Sequence, residues 1–534
     1  MNLISLLGLL ALLGIAWALS VHKTRVPLRT VAWGLGLQFL FAVIILREDF
    51  WSFVGMAVFG LLLVVYIVHE GRGWGAIGAL AAAAAAVGLL LHAIMPALVP
   101  WVFLALFLFL PLNARFRFAP GAQRFAAALL VVAGVTYLTS RGLYGQLLFS
   151  SLSTRVSSFL SLSDYGAAFI FGNLANPEHF GPGANWPGFG MQFGFKVLPT
   201  IIFFGGFMAV LYYLGVMQKV IEAMSRFVRW TLGTSGAETL SCSANIFVGQ
   251  TEAPLLIRPF LPRMTKSELN TIMVGGFATI AGGVLAGYIA FGVPAGHLIA
   301  ASVMSAPAAL VIGKIIYPET EHSETAGDVK LPEIDSGGNV IEAASNGITD
   351  GLKLAVNVAA MLIGFIALIA VVDVILNWAD SLIDGRWLGG EYVAYEAVGL
   401  SPAVGEYLGW FPGSLQTLFG TLLKPLAFLM GVPWKDATLV GNLLGVKLSL
   451  NEFVAYGTLG TYIQNGALSE RAVIISTYAL CGFANFASIG IQIGGISAVA
   501  PDRKPDLAKV GLKAMIGGAL ASWTTATIAG ILIA

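Results

Sequence analysis

Gly249-Gln250-Thr251-Glu252-Ala253-Pro254 and, in the second half of the chain, Asn451-Glu452-Phe453 each place a glutamate at the turn of an apolar segment that folds back on itself. A charge in hydrocarbon is costly, so an acid in such a place marks a binding site. Each stretch is followed by a near-copy of one helical segment: Gly276-Phe277-Ala278-Thr279-Ile280-Ala281 after the first, Gly482-Phe483-Ala484-Asn485-Phe486-Ala487 after the second. The chain repeats itself around two acids, and both are expected to be buried.

The composition fits that reading. Hydrophobic residues make up 57% of the chain and charged residues 11%, with a mean hydropathy of +0.84. These values describe a polytopic membrane protein. A net charge of +1 and the lack of any dense basic cluster give no reason to expect nucleic acid. Cys242 and Cys481 lack CxxC spacing and read as buried small hydrophobes, and six scattered histidines suggest no metal-ligand cluster.

In the first apolar run, Asn2 to Ser20, the basic residues Lys23, Arg25 and Arg29 follow the run rather than precede it. It reads as a retained transmembrane helix with its N-terminus outside. Further spans are expected at about 30–46, 51–68, 75–96, 100–112 and 125–140, with Arg115, Arg117 and Arg124 in another cytoplasmic loop. From Ser140 to Gln192 the chain is rich in Ser, Gly, Asn and Pro and is expected to form outside loops and interfacial pieces. Leu198 to Met217 returns inward. Gln218 to Leu232 carries Lys219, Glu222, Arg226 and Arg229 at helical spacing, as in a helix lying on the inner membrane surface.

The segment that follows is too polar in its middle for a simple span. Its glycines and Pro254 suggest two half-helices meeting at a turn, with Arg258, Arg263 and Lys266 bringing the second arm back to the cytoplasmic face. Non-helical backbone at membrane depth must be buried in protein or line a wet cavity, so such a hairpin implies a cavity. Asn270 to Val293 is a span interrupted near Thr279 by Ala281-Gly282-Gly283, and Ala300 to Tyr317 returns inward. The second half repeats the pattern: a span over 351–376, an outside segment over 377–410, a hairpin over 435–464, a span over 471–498 broken around Asn485, and a last span over 510–534.

The expected fold class is an all-α polytopic membrane protein with inverted repeats, two re-entrant helical hairpins and two broken transmembrane helices. Residues 1–145 hold scaffold helices, including extra hydrophobic segments, and 146–217 an outside loop region with the helix after it. Residues 218–317 hold the interfacial helix, the first hairpin and the first transport repeat, followed by a cytoplasmic linker over 318–348. A scaffold helix and outside segment occupy 349–434, and the second hairpin and transport repeat occupy 435–534.

Gly-Gln-Thr-Glu-Ala-Pro-Leu-Leu-Ile-Arg-Pro-Phe-Leu at 249–261 resembles the signature of the concentrative nucleoside transporter family. Asn451-Glu452-Phe453-Val454-Ala455-Tyr456 and Gly482-Phe483-Ala484-Asn485-Phe486-Ala487-Ser488-Ile489 are similar to two further motifs of that family, in the family's order. The likeness extends through Val197-Leu198-Pro199-Thr200 and Gly351-Leu352-Lys353-Leu354-Ala355 and covers roughly 1–50 and 165–534. Between about 70 and 145 the chain departs from shorter bacterial members by carrying additional hydrophobic segments. Lipid-facing padding or oligomer-periphery contact is the plainer reading of them, with a regulatory role as the alternative.

The resemblance implies a bacterial inner-membrane symporter, homotrimeric, that takes up nucleosides such as uridine or adenosine with Na+, or with H+ instead. It implies a substrate pocket in which Gln250, Thr251 and Glu252 face base and sugar, Glu452, Asn485 and Ser488 hold mainly ribose hydroxyls, and Val284 and Phe483 pack on the base. The implied Na+ ligands are the Asn245 side chain, the Val248 and Ile280 carbonyls and the Thr279 hydroxyl, where the family often has serine. Taken singly, Asn245, Asn485, Thr279 and Ser488 serve equally well to join helices by hydrogen bonds, and only their repeated placement raises them. A membrane-embedded enzyme and a passive channel are the rival classes. The enzyme lacks support, since HExxH, GxSxG and Asp-rich metal motifs are all missing.

Overall fold

A computed structural model describes residues 2–69, 82–84, 86, 87, 90, 93, 96–116, 120–176, 192–325, 327, 337–390 and 409–533. The described residues are helical with no strand, as expected for a chain whose backbone groups must pair within each segment when water is absent. Two compact units are present, one of residues 1–38 with 153–533 and the other of residues 39–152.

Helices α1 (Asn2–Ala18) and α2 (Leu28–Leu46) open the chain, and α3 (Phe50–His69), α4 (Val99–Phe116) and α5 (Pro120–Ser140) follow. In the smaller unit Val64, Val68, Ala84 and Ala128 form a modest apolar core. Most of the span expected at 75–96 lies outside the described residues.

The region from Ser140 to Gln192, expected as loops and interfacial pieces, contains two helices, α6 (Gly145–Leu160) and α7 (Ser163–Phe171). Serine weakens a helix when its hydroxyl competes for the backbone, but here the hydroxyls bond back to carbonyls of the turn they stand on. Ser150 donates to Leu147 and Ser161 to Ser158. A count of polar residues therefore overstated the loop, of which 177–191 lies outside the described residues.

Helix α8 (Phe193–Tyr213) leads into α9 (Val216–Leu232), which buries Met217, Ile221, Phe227, Val228 and Leu232 and leaves its charged residues on the other face. That is the amphipathic helix the sequence predicts. The first repeat continues with α10 (Gly236–Ala244), α11 (Lys266–Ala278), α12 (Gly282–Ala290) and α13 (Ala295–Ile316).

Helix α14 (Val340–Leu382) begins within the expected linker and runs beyond the expected span into the expected outside segment. Its start is fixed by Asn339, whose Oδ1 accepts from the Glu342 amide. At its far end the buried Asp384 accepts from the Trp410 and Phe411 amides, so its acid serves to cap a returning chain. The second repeat comprises α15 (Leu415–Leu429), α16 (Ala437–Ser449), α17 (Glu452–Gln464), α18 (Glu470–Leu480), α19 (Phe486–Val499) and α20 (Lys504–Leu532).

Eight helices among the described residues are long and apolar enough to cross a membrane. Burial sorts them into two groups. The spans 266–290, 295–316 and 501–532 are 78%, 89% and 83% buried, whereas 194–213 and 366–388 are only 22% and 17% buried within the chain. The two outer helices α8 and α14 meet through glycine: a Cβ on Gly205 would stand 2.7 Å from the Gly347 carbonyl oxygen, and one on Gly351 3.0 Å from the backbone of Ile202. With lipid as apolar as leucine, such close backbone approach supplies the packing that water exclusion does not.

Gly351→Leu is expected to force α8 and α14 apart and cost about 1–3 kcal/mol, while Gly364→Leu, on the same helix with open space around it, should cost little. The unfolding temperature of the detergent-purified variants, followed by intrinsic fluorescence, distinguishes them.

Candidate functional site

The chain is interrupted at both places where a hairpin turn is expected, by different means. In the second, α16 ends at Ser449 and Asn451 caps α17 by accepting from the Val454 amide at 2.9 Å, so two true half-helices meet beside Glu452. In the first, only the leading arm, α10, is a half-helix, capped by the reciprocal Ser235 and Glu238 bonds. The return arm is two short 3-10 turns, Ala253–Ile257 and Leu261–Arg263, rather than a second half-helix. Pro254 and Pro262 lack the amide hydrogens that an α-helical ladder needs, and each opens a tight turn instead.

Both broken helices break where the repeated segments lie. The first is open over Thr279–Ala281 between α11 and α12, the second over 481–485 between α18 and α19. The breaks touch each other: Gly482, at φ +123°, lies so close to the first break that a Cβ would stand 2.4 Å from the Phe277 carbonyl oxygen. Any side chain would separate them.

Each hairpin tip packs on the broken helix of the other half. At the first tip, Gln250 Nε2 donates to Ser488 Oγ at 3.2 Å and Gln250 Oε1 accepts from Gln492 Nε2 at 3.0 Å, both partners lying on α19. Thr251 stands against Gly495 of the same helix. At the second tip, Tyr288 of α12 donates to Glu452 Oε1 at 3.0 Å, and its ring stacks on Tyr456 with centroids 4.3 Å apart. Phe453 meets Tyr288 and Phe291, which completes the aromatic seam between α17 and α12. Asn485 caps α19 by accepting from the Ser488 amide at 2.9 Å.

A buried lysine, Lys447 on α16, closes the second break. Its Nζ donates to the Ala479 carbonyl at 3.0 Å and the Cys481 carbonyl at 3.4 Å, and Ser522 of α20 also donates to Cys481. Carbonyls freed by the interruption thereby regain partners. A second buried lysine, Lys314, lies 2.8 Å from Glu238 and donates to Ser267 at 2.9 Å, at the base of the first hairpin.

The expectation that the two motif glutamates are the buried acids is half right. Glu452 is 4% exposed, but Glu252 is exposed, its carboxylate turned back over Gly249. A carboxylate that keeps its water needs no partner. Among the described residues no hydrogen bond ties Glu252 to another of the predicted site residues, and Val284, buried in α12, and Phe483, half-buried in the second break, likewise stand apart from the polar contacts. Glu238, Glu268, Asp373, Asp380 and Asp384 are also buried. Glu238 and Glu268 reach that state by capping helices, which the Ser235-x-x-Glu238 and Thr265-x-x-Glu268 spacings signal.

Tyr288, Lys447 and Gln492 escaped the sequence reading. A lysine within an apolar helix and an amide four residues past Ser488 were the available signals for the last two.

The donor set proposed for Na+ lies along the first break. Asn245 is 1% exposed and, among the described residues, neither of its side-chain polar atoms has a hydrogen-bond partner. It borders Gly275, whose carbonyl accepts from Thr279 Oγ1 at 2.7 Å, and the next turn is held there by the Gly282 amide donating to the Phe247 carbonyl at 3.2 Å. Ser241 and Ser243 add two more buried hydroxyls without partners. Buried polar atoms left unpaired cost stability. Neutral oxygens in such a place suit a small hard cation.

Three family descriptions match the chain in series: Na+ dependent nucleoside transporter N-terminus over residues 7–66, Nucleoside recognition over 194–295 and Na+ dependent nucleoside transporter C-terminus over 297–530. Sodium/nucleoside cotransporter 1 of Mus musculus is 43% identical over 403 residues, which make up 73% of this chain and 56% of the mouse protein. The chain thus spans little more than half the length of that relative. An uncharacterized transporter of Haemophilus influenzae is 42% identical over 424 residues, 78% of this chain and 93% of the relative. The solved structure of CNTnw in an inward-facing substrate-bound state has a TM-score of 0.71 at 32% identity, covering 100% of this chain and 99% of that one. A CNTnw variant in an outward-facing state gives 0.71 at 32% identity, covering 99% and 97%.

Gly482→Ala is expected to strain the backbone and part the two breaks at a cost of about 1–3 kcal/mol or more, whereas Gly490→Ala, with open space around it, should be silent. The yield of monodisperse protein and its melting temperature check both.

Proposed function

Because the chain belongs to the concentrative nucleoside transporter family, we propose that it is a secondary active symporter that carries nucleosides inward on a Na+ gradient by alternating access. The family is one of transporters, not enzymes. The observation that carries the proposal is the exchange of partners between halves: tip one on α19 through Gln250 and Ser488, tip two on α12 through Glu452 and Tyr288. Such an exchange encloses one site between two repeats, where a solute bound by both must be released by moving them.

In this reading Gln250, Thr251 and Glu252 meet base and sugar, Glu452, Asn485 and Ser488 hold ribose hydroxyls, and Val284 and Phe483 cover the base. A nucleoside needs this mixture, since its hydroxyls both donate and accept while its ring faces are apolar. Glu452 keeps one buried oxygen, Oε2, without a partner, and it is available to accept from a hydroxyl. Asn245 and Thr279, with the Val248 and Ile280 carbonyls, would hold Na+, whose charge favours the geometry in which both tips are seated. An ion and a solute that favour the same geometry are coupled, and the ion's gradient then drives the solute. The bacterial inner membrane and a trimeric assembly belong to the same proposal.

H+ coupling is the second reading, and the specific observation in its favour is the same Glu452, buried with one free oxygen. Uridine and adenosine uptake into proteoliposomes under an inward Na+ gradient, an inward H+ gradient and no gradient separates the two. Sodium-dependent accumulation is expected, and Asn245→Leu should abolish the sodium stimulation. Accumulation driven by H+ alone moves the coupling role to Glu452, and no uptake of either nucleoside by folded protein overturns the function. Glu452→Gln should lower uptake about 10- to 100-fold, the weight of one hydrogen bond to a charged group, with folding retained. Wild-type uptake by that variant would remove the carboxylate from the site.

A further inference from the structure

Gln492 has no role in the substrate or ion sites set out above, yet it is 1% exposed and its amide stands between two acceptors. Nε2 donates to the Met273 carbonyl at 3.2 Å and to Gln250 Oε1 at 3.0 Å. It reaches them because Gly276 has no side chain: a Cβ there would stand 2.6 Å from Gln492 Nε2. A backbone carbonyl only accepts, so the NH2 end of Gln492 must face Met273. Both of its hydrogens are then used, and Gln250 is obliged to present oxygen to Gln492 and its own NH2 to Ser488, at 3.2 Å. The polarity of the whole row is set from one end.

At the other end the row finishes in hydrogens. Gln250 Nε2 keeps one N–H beyond the bond it gives Ser488, and Ser488, having accepted, keeps its O–H to give. Without Gln492 the amide of Gln250 would be free to turn over and offer oxygen instead.

We propose that Gln492 is a positioning residue that locks the Gln250 amide so that the first tip presents its remaining N–H, which selects a nucleobase edge bearing a carbonyl oxygen. This rests on the proposed assignment of Gln250 to the base. Substrates whose facing atom accepts well are held, and those with a poor acceptor or a donor there are refused, because a buried donor left unpaired costs affinity.

The test compares uridine, 2-thiouridine and 4-thiouridine in proteoliposomes of the full chain, since sulfur accepts far more weakly than oxygen. In the wild type one of the two thio substitutions is expected to raise KM about 3- to 10-fold, the effect of one neutral hydrogen bond, with Vmax little changed. In Gln492→Met the same substitution should be silent to within about twofold, because an unlocked amide no longer distinguishes the atoms.

Gln492→Glu separates positioning from packing. It is close to glutamine in shape, but its oxygens face the Met273 carbonyl and the Gln250 oxygen, so uridine KM should rise further than in Gln492→Met. A residue that merely fills space would show the opposite order. Gln492→Leu is read in the same way as Gln492→Met should the latter not give monodisperse protein. Sensitivity to neither thio analogue in an active wild type, or the same sensitivity kept in the Met and Leu variants, overturns the proposal and leaves nucleoside transport standing. Failure of the wild type to carry uridine at all removes the reading on which it rests.

Discussion

Every interruption of a helix inside an apolar protein strands backbone groups that water would otherwise satisfy, and this requirement organises the centre of the molecule. Four such places meet here: two hairpin turns and two helix breaks. Asn451 and Asn485 cap the helices that resume after them, Ser235 caps the arm that leads into the first turn, and Thr265 caps the helix after it, the last two with reciprocal glutamates. Lys447 and Ser522 take up carbonyls of the second break, and the Gly282 amide bonds the Phe247 carbonyl across the first hairpin. The caps come as often from a distant segment as from the next turn. Irregular backbone and tertiary structure therefore specify one another.

The same requirement explains why the site is polar where it is. A segment that must be non-helical carries asparagine, serine, threonine and glutamine to cap itself, and those groups, once gathered, also suit a solute with hydroxyls. The exchange of partners between halves follows from the repeat: when two similar units face each other, the tip of one occupies against its neighbour the place that the neighbour's tip occupies against it. Tyr288 with Glu452 and Ser488 with Gln250 are the two realisations of that relation in one chain. They are chemically unlike, aromatic and acidic on one side and amide and hydroxyl on the other.

Much of this was legible in the sequence, for a physical reason. Apolar runs must be long to cross lipid, so α3, α5, α8, α13 and α20 announce themselves by length, and glycine or asparagine inside a run marks a break because neither sustains a helix without help. What could not be read depends on partners far along the chain. Glu238, whose cap its local spacing signals, is also paired with the distant Lys314, and Asp384 is buried because the amides of Trp410 and Phe411 return to it. The serines in and just after α6 look like loop until their hydroxyls are seen turned back on that helix. The return arm of the first hairpin was expected as a half-helix although Pro254 and Pro262 stand in it, and the exposure of Glu252 was not legible, since nothing local fixes which way a tip residue points.

Lys447 has a kinematic consequence. Its ammonium is held away from water by carbonyl oxygens of the second break rather than by a carboxylate that could travel with it. If α16 slid away from α18, a cation would be left in an apolar interior without a partner, at a penalty far larger than any single contact at the tip. The second hairpin and the second broken helix are therefore bound to move as one body, and whatever rearrangement opens the enclosed site must find its sliding surface elsewhere in the protein.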